Sequence, residues 1–224
     1  MKKEEVKLQK NVLAKNDEIA MEIREVLAAK RLLAVNLLSS PGSGKTTLLE
    51  KTIEALGSKI RLGVVVGDLQ TERDADRIRR TGATAVQIET GGACHLDARM
   101  VAAALQRLEL DSIDVLFIEN VGNLVCPASF DVGDDFTVVL ISVTEGDDKP
   151  AKYPTAFRKA DLLIVNKIDL IPYTNFSLER FKVDAGKIKP TLDILEMSCI
   201  TEEGLEGWFE WLQEKMEHKK QAPR

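Results

Sequence analysis

Apolar runs recur along the chain near residues 32–38, 61–67, 84–88, 114–118, 135–142, 161–166 and 192–196, with helix-spaced patterns between most of them. Short runs rich in Val, Ile and Leu suit strands buried on both faces. Their alternation with helices predicts a largely parallel sheet covered by helices on both sides. The first 30 residues read differently: Asn16 is placed to cap a helix carrying Ile19, Ile23, Val26 and Leu27 at helical spacing. Residues 1–10 are charged and expected to fray. At the other end, Leu205, Trp208 and Leu212 form an apolar stripe on a last helix and are expected in the core. The pattern divides the chain into an N-terminal helical extension (1–30), an α/β domain (31–217) and a disordered tail (218–224).

The loop after the first run, Ser39-Ser40-Pro41-Gly42-Ser43-Gly44-Lys45-Thr46-Thr47, opens a helical segment and reads as a phosphate-binding loop. Gly42 and Gly44 let backbone N–H groups turn inward, Lys45 brings charge to the β/γ oxygens, and the Thr46 hydroxyl can ligate Mg²⁺. Ser39 stands where the strict pattern has glycine. The fold class is therefore a P-loop NTPase. A second motif, Asn166-Lys167-Ile168-Asp169, ends another apolar run. The Asp169 carboxylate can accept from guanine N1–H and the exocyclic amine, which adenine cannot supply, so the nucleotide is expected to be GTP. Ser198-Cys199 follows the last strand, where its N–H groups could reach guanine O6; the alternative is an ordinary strand exit with a buried thiol.

In open parallel sheets ligands lie beyond the carboxyl ends of the strands. Asp68 and Glu119 end two such strands and join Thr46 as candidate Mg²⁺ ligands. Glu119-Asn120-Val121-Gly122 also has the spacing in which the glycine N–H senses a γ-phosphate. In the acid- and arginine-rich stretch Gly67–Arg77, Asp74 is the candidate to orient the attacking water or a water on Mg²⁺; Glu72 and Asp76 suit a solvated helix start. The catalytic set is thus Lys45, Asp74, Glu119 and Gly122.

Composition narrows the partners. The 224 residues, 44% of them hydrophobic, suit one substantial core. A formal net charge of −5 without a basic block argues against nucleic acid. The absence of a long apolar run argues against a membrane span and, with the charged start, points to the cytoplasm. Three cysteines in such a chain are reduced thiols or metal ligands rather than a disulfide framework. Cys94 and His95 adjoin, and Cys126 follows Gly122 by four residues. Two thiolates and an imidazole suit Zn²⁺ or Ni²⁺ and leave one position open, favouring transfer over storage; buried core thiols are the alternative.

With these residues in hand, the chain resembles the HypB family of hydrogenase-maturation GTPases. The stretches that carry the likeness are Ser39–Thr47, Gly67–Arg77, Cys94–Ala98, Ile118–Pro127, Ser142–Pro150 and Asn166–Asp169. The resemblance implies a fold like that of MinD-type ATPases and the urease accessory GTPase. It also implies a GTP-dependent homodimer with Cys94, His95 and Cys126 at the interface, a small nickel-chaperone partner, and a hydrogenase large-subunit precursor as client. No His-rich tract or cysteine motif stands near the start, so the nickel storage and second nickel site of some members are not expected. Ser40 stands where MinD-like ATPases carry a signature lysine. The rivals are an accessory GTPase for urease or another metalloenzyme, a P-loop small-molecule kinase, and a metal-storage scaffold.

Overall fold

The computed structural model describes the backbone of residues 2–68 and 73–221, with side chains from Val12 onward except that of Asp68. In chain order the principal elements are α1 (Lys2–Ala29), β1 (Leu33–Ser39), α2 (Lys45–Leu56), β2 (Leu62–Asp68), α3 (Arg73–Arg80), β3 (Thr84–Glu89) and α4 (Ala98–Leu105). They continue with β4 (Val115–Glu119), β5 (Phe136–Ser142), α5 (Lys149–Lys152), α6 (Pro154–Lys159), β6 (Leu162–Asn166), α7 (Leu178–Ile188), β7 (Asp193–Glu196) and α8 (Leu205–Gln221). The strands form one parallel sheet in the order β3-β2-β4-β1-β5-β6-β7. β1, β4 and β6 are buried along their whole length, as their predominantly apolar runs require, with Asn36 the one polar residue inside β1. The whole sheet is parallel, as the alternation of strands and helices predicts. Among the described residues no helix is long and apolar enough to cross a membrane.

Each expected strand forms within a residue or so of its apolar run. β1 lies between β4 and β5, and Asn36 pairs across to Ile118 on one side and Thr137 on the other. Helices cover both faces. On one, α2 and α8 bring Leu48, Leu49, Trp208 and Leu212 against Val35, Leu37 and Phe117. On the other, α1 and α4 bring Ala20, Ile23, Leu27 and Val101 against Ala34, Leu116 and Ile118.

The ends of the chain depart from the sequence expectations. Asn16 does not cap a helix: α1 begins at Lys2 and runs through it, and the Asn16 side chain is buried under the fold. Val26, expected with the apolar face, stays about half exposed, because Ala20, Ile23 and Leu27 make the contact instead. The frayed start expected at residues 1–10 is helical from Lys2. α1 stops in a paired turn, with Leu32 N–H donating to Leu27 O, Arg31 N–H donating to Ala28 O, and Arg31 itself in the left-handed region at φ 54°. The tail expected from residue 218 is also corrected. α8 continues to Gln221, and Lys219 reaches back to Asp135 at 2.5 Å; residues 222–224 lie outside the described residues.

Trp208 is the largest fully buried side chain, and its indole N–H donates to Thr52 Oγ1 at 2.9 Å. Trp208→Ala should therefore cost about 3–5 kcal/mol, by cavity formation and loss of that bond. Urea unfolding followed by circular dichroism measures this.

Candidate functional site

The phosphate loop spans the turn from β1 to α2. Gly42 and Gly44 both have positive φ, 74° and 105°, where a side chain would strain the backbone. A Cβ on Gly44 would also collide with the Asn166 amide. Asn166, at the end of β6, donates from Nδ2 to Ser43 O at 2.8 Å and accepts from Lys167 N–H and Cys199 N–H at 2.8 and 3.2 Å. Lys167, itself at φ 62°, donates to Gly42 O at 2.7 Å. The guanine-type motif thus props the phosphate loop from behind. Ser43 Oγ donates to Glu145 Oε1 at 2.6 Å, a brace with no signal in the loop sequence itself.

A cleft of about 440 Å³ opens above the loop. Pro41, Gly42, Gly44, Lys45, Thr46 and Thr47 line one side, and Asp74, Arg77, Glu119, Gly122 and Lys167 are among the residues that line the rest. Lys45 is buried and its ammonium donates to Ser39 Oγ at 2.6 Å. Thr46 Oγ1 donates to Glu119 Oε1 at 2.8 Å, while Glu119 Oε2 is buried with no hydrogen-bond partner among the described residues. Burial pushes the Glu119 carboxyl up to about 7, against the opposing pull of Lys45 and the Thr46 hydroxyl. A buried hydroxyl–carboxylate pair with a spare oxygen suits a hard cation, and Thr46 and Glu119 would hold Mg²⁺ here. The Asp68 side chain, the third candidate, lies outside the described residues.

Asp74 lines the cleft and approaches Arg77 at 3.6 Å. Arg77, which sequence reasoning did not single out, makes a two-pronged pair with Glu50 (2.9 and 2.6 Å) and reaches Thr47 Oγ1 at 3.2 Å. At the base end, Asp169 Oδ1 is shielded and unpartnered among the described residues. The N–H groups of Ser198 and Cys199 are spent on Glu203 O and Asn166 Oδ1, and those of Ile200 and Thr201 on Ser198 Oγ. In this conformation the Ser198–Thr201 turn is therefore closed on itself. The buried Cys199 thiol is pushed up to about 11 by burial, as for an inert core thiol.

Beyond Glu119 the chain turns back over the phosphate loop. Gly122 lies so close to Pro41 that a Cβ would sit 3.0 Å from its Cα. Four residues on, Cys126 meets Cys94 and His95, and one sulfur or nitrogen atom from each lies within 4.8 Å of the others. The His95 ring stacks on Phe130 at 3.9 Å between centroids, and partial burial lowers its pKa against the pull of Asp97. The Cys94 thiol is held up by its hydrogen bond with Cys126. Two thiols and an imidazole at this separation are a donor set for a borderline divalent ion.

Two further asparagines, not singled out from sequence, join the halves of the site. Asn120 accepts from Leu96 N–H at 3.1 Å and from Val121 N–H at 3.0 Å, and Asn123 Nδ2 donates to Cys94 O at 3.2 Å. Leu96 is fully buried against Gly67, where a side chain would have no room. A signal for Asn120 was present: a polar pair, Glu119-Asn120, directly after the apolar run Val115–Ile118.

Residues 33–196 match the model of the family described as CobW/HypB/UreG, nucleotide-binding domain. The chain belongs to the CobW/HypB/UreG family. Within this family it is 50% identical over 203 residues to the hydrogenase maturation factor HypB of Escherichia coli, covering 91% of this chain and 70% of the relative. It is 44% identical over 226 residues to the hydrogenase/urease maturation factor HypB of Helicobacter pylori, covering 99% and 93%. The crystal structure of HypB from Helicobacter pylori in complex with nickel superposes with a TM-score of 0.88 at 45% identity, covering 94% of this chain and 99% of that one. HypB of Archaeoglobus fulgidus gives 0.86 at 43% identity, covering 91% and 100%. The cell division protein FtsY of Thermotoga maritima, at 15% identity and a TM-score of 0.54 over 74% of this chain and 61% of that one, shares the fold alone.

The raised Glu119 pKa fixes a sign for pH dependence. The folded protein holds a proton that the unfolded chain releases from its ordinary value of 4.5 upward. The stability this proton contributes is present below about 4.5 and is lost as pH rises towards about 7. In nucleotide-free, metal-free protein the loss should be at most about 3 kcal/mol. Urea midpoints across this window should fall for the unmodified protein, and Glu119→Gln should flatten that part of the slope.

Proposed function

We propose that this chain is a GTP-hydrolysing metallochaperone that assists nickel insertion into a [NiFe] hydrogenase. The observation that carries the reading is one continuous segment, 119–126, which lines the phosphate cleft with Glu119 and Gly122 and supplies the Cys126 thiol to the Cys94/His95/Cys126 cluster. The names of its relatives, hydrogenase maturation factors, support the client. In this reading Lys45 and the loop N–H groups of Gly42–Thr47 bind the phosphates, Thr46, Asp68 and Glu119 hold Mg²⁺, and Asp74 orients the attacking water. Asn166 and Lys167 shape the base pocket, and Asp169 selects guanine. Ser198 and Cys199 border that pocket, and would offer N–H groups to O6 only if their turn reopened.

Nickel or zinc is cargo, held by Cys94, His95 and Cys126. Exposed Cys94 and the half-exposed Val125 beside Cys126 suit a face that meets a second copy when GTP is bound. The other proposed partners are a small nickel chaperone and the hydrogenase large-subunit precursor, in the cytoplasm. Urease is a second client because one relative carries both functions in its name. Turnover by the isolated protein is slow, on the order of 10⁻⁴ to 10⁻² s⁻¹, because the cleft arginine Arg77 is committed to Glu50 rather than to a γ-phosphate.

The base pocket gives a direct test. Asp169→Asn should shift preference from guanine towards xanthine nucleotides, because an amide donor replaces a carboxylate acceptor. Competition of GTP, ATP and XTP for a fluorescent nucleotide reads this, and equal affinity of the unmodified protein for ATP and GTP would remove Asp169 as the selector.

Coupling gives the test of the whole reading. A γ-phosphate contact that moves Gly122 also moves Cys126, and Asn120 carries the shift to Leu96 beside His95. Ni²⁺ affinity should therefore differ between GDP- and GTP-analogue-bound protein by roughly 5- to 150-fold. Nucleotide affinity must then change with nickel by the same factor. Calorimetric titration in both states measures the difference, and Asn120→Ala should shrink it. Equal nickel affinities in the two states would leave a GTPase without a metal cycle.

A further inference from the structure

The metal cluster is built from two loops far apart in sequence, which meet directly through Asn123 Nδ2 donating to Cys94 O at 3.2 Å and through the His95–Phe130 stack. Behind that contact, a side chain from α1 spans the same two loops. Asn16, buried on the inner face of the helix, accepts from Ala98 N–H at 2.8 Å and donates from Nδ2 to Asp131 O at 2.8 Å. Ala98 lies three residues after His95, and the fully buried Leu96 lies between them. Asp131 follows Phe130, whose ring stacks on His95, and a tight turn of Pro127–Ser129 joins it to Cys126. Two turns further along α1, Arg24 reinforces the second loop, donating to Asp131 Oδ1 at 2.6 Å and to Asp134 O at 3.1 Å.

We propose that α1 is part of the frame of the metal site and that Asn16 is its positioning residue, setting the separation of Cys94 and His95 from Cys126. This rests on the reading of those three residues as a metal site. It adds a second input to that site, separate from the nucleotide: Asn120 holds Leu96 from the phosphate side, and Asn16 holds Ala98 from the N-terminal helix. Groups that orient metal ligands from behind typically change affinity 10- to 100-fold when removed. Linkage also requires that metal bound at the cluster tighten the seating of α1.

The test uses the full chain and Ni²⁺ alone. Asn16→Ala should weaken Ni²⁺ binding by about tenfold or more and alter the sulfur-to-nickel charge-transfer band, with GTP-analogue affinity kept within about twofold. Hydrogen exchange should show nickel-dependent protection of α1 amides around residues 16–27 in the unmodified protein and its loss in the variant. A general loss of packing would not make that protection depend on nickel. Nickel affinity and spectrum unchanged in Asn16→Ala would overturn the proposal.

If Asn16→Ala fails to bind nucleotide, and so fails to fold, Arg24→Ala takes its place, since that side chain is partly exposed and grips only the Cys126 side. It should weaken nickel binding in the same direction by about threefold, a smaller effect than removal of a direct orienting group, and no change would overturn the proposal. Cys94→Ala separates the two levels. Unchanged nickel binding in that variant would remove the metal site and this inference together, whereas sensitivity to Cys94→Ala with indifference to α1 would remove only the inference.

Discussion

A parallel sheet satisfies its backbone until the strands end, and at its carboxyl edge the loops that hold ligands must find other partners for buried N–H and C=O groups. In this protein buried asparagine carboxamides do that work. Asn166 at the end of β6 supports Ser43, Lys167 and Cys199; Asn120 just past β4 supports Leu96 and Val121; Asn16 on α1 supports Ala98 and Asp131. A carboxamide carries donor and acceptor on one rigid plane without charge, so it can join two loops in a dry environment where a carboxylate would need a counter-charge. The phosphate loop, the Asn166–Asp169 segment and the loops that carry Cys94, His95 and Cys126 are each joined to a neighbour by one of these links.

The links also explain why the chemistry is arranged as two adjoining sites rather than two separate ones. β1 and β4 are neighbours at the centre of the sheet, so the phosphate loop after β1 and the Glu119–Cys126 segment after β4 leave the same edge side by side. Gly122 lies against Pro41 so closely that a Cβ there would sit 3.0 Å from the Pro41 Cα, and the loop would have to give to admit it. Only the three residues 123–125 separate Gly122 from Cys126, and this short tether is the basis of the coupling proposed above.

The phosphate cleft holds buried charge. Lys45, Thr46 and Glu119 are all buried there, and the unpartnered Glu119 oxygen is an unmet demand for a cation or a proton. The Cys94/His95/Cys126 cluster has the opposite character, with two thiols and an imidazole at a partly exposed surface. Under the proposed function, hard and soft cations would be sorted by ligand type rather than by shape. Cys199 shows the contrast: it is a cysteine of the same chain, but burial holds it protonated beside the base pocket, away from the other two thiols.

Much of this was legible in the sequence, for a physical reason. A strand buried on both faces is apolar along most of its length, so β1 and β4 to β6 are written in contiguous residues, with Asn36 and Thr137 inside them and polar residues at their carboxyl ends. A loop that wraps a phosphate needs Gly42, Gly44, Lys45 and Thr46 at fixed offsets, and that too is local. The closeness of Cys126 to Cys94 and His95 was suggested by ligand type and by the short tether from Gly122, but only the sheet order brings the two loops together. Asn16 shows where local reasoning ends. Its residue type signals a helix cap, yet its partners Ala98 and Asp131 stand 82 and 115 residues away, and they turned it into a buried strut inside a longer helix. The last turn of α8 was misjudged in the same way, since polar residues 218–221 carry no core signal of their own and Lys219 is held by Asp135, 84 residues earlier. Contiguous chemistry was determined by the sequence alone, and pairings between distant polar groups were decided by the tertiary structure, because one side chain's donors and acceptors do not encode which loop will come within reach.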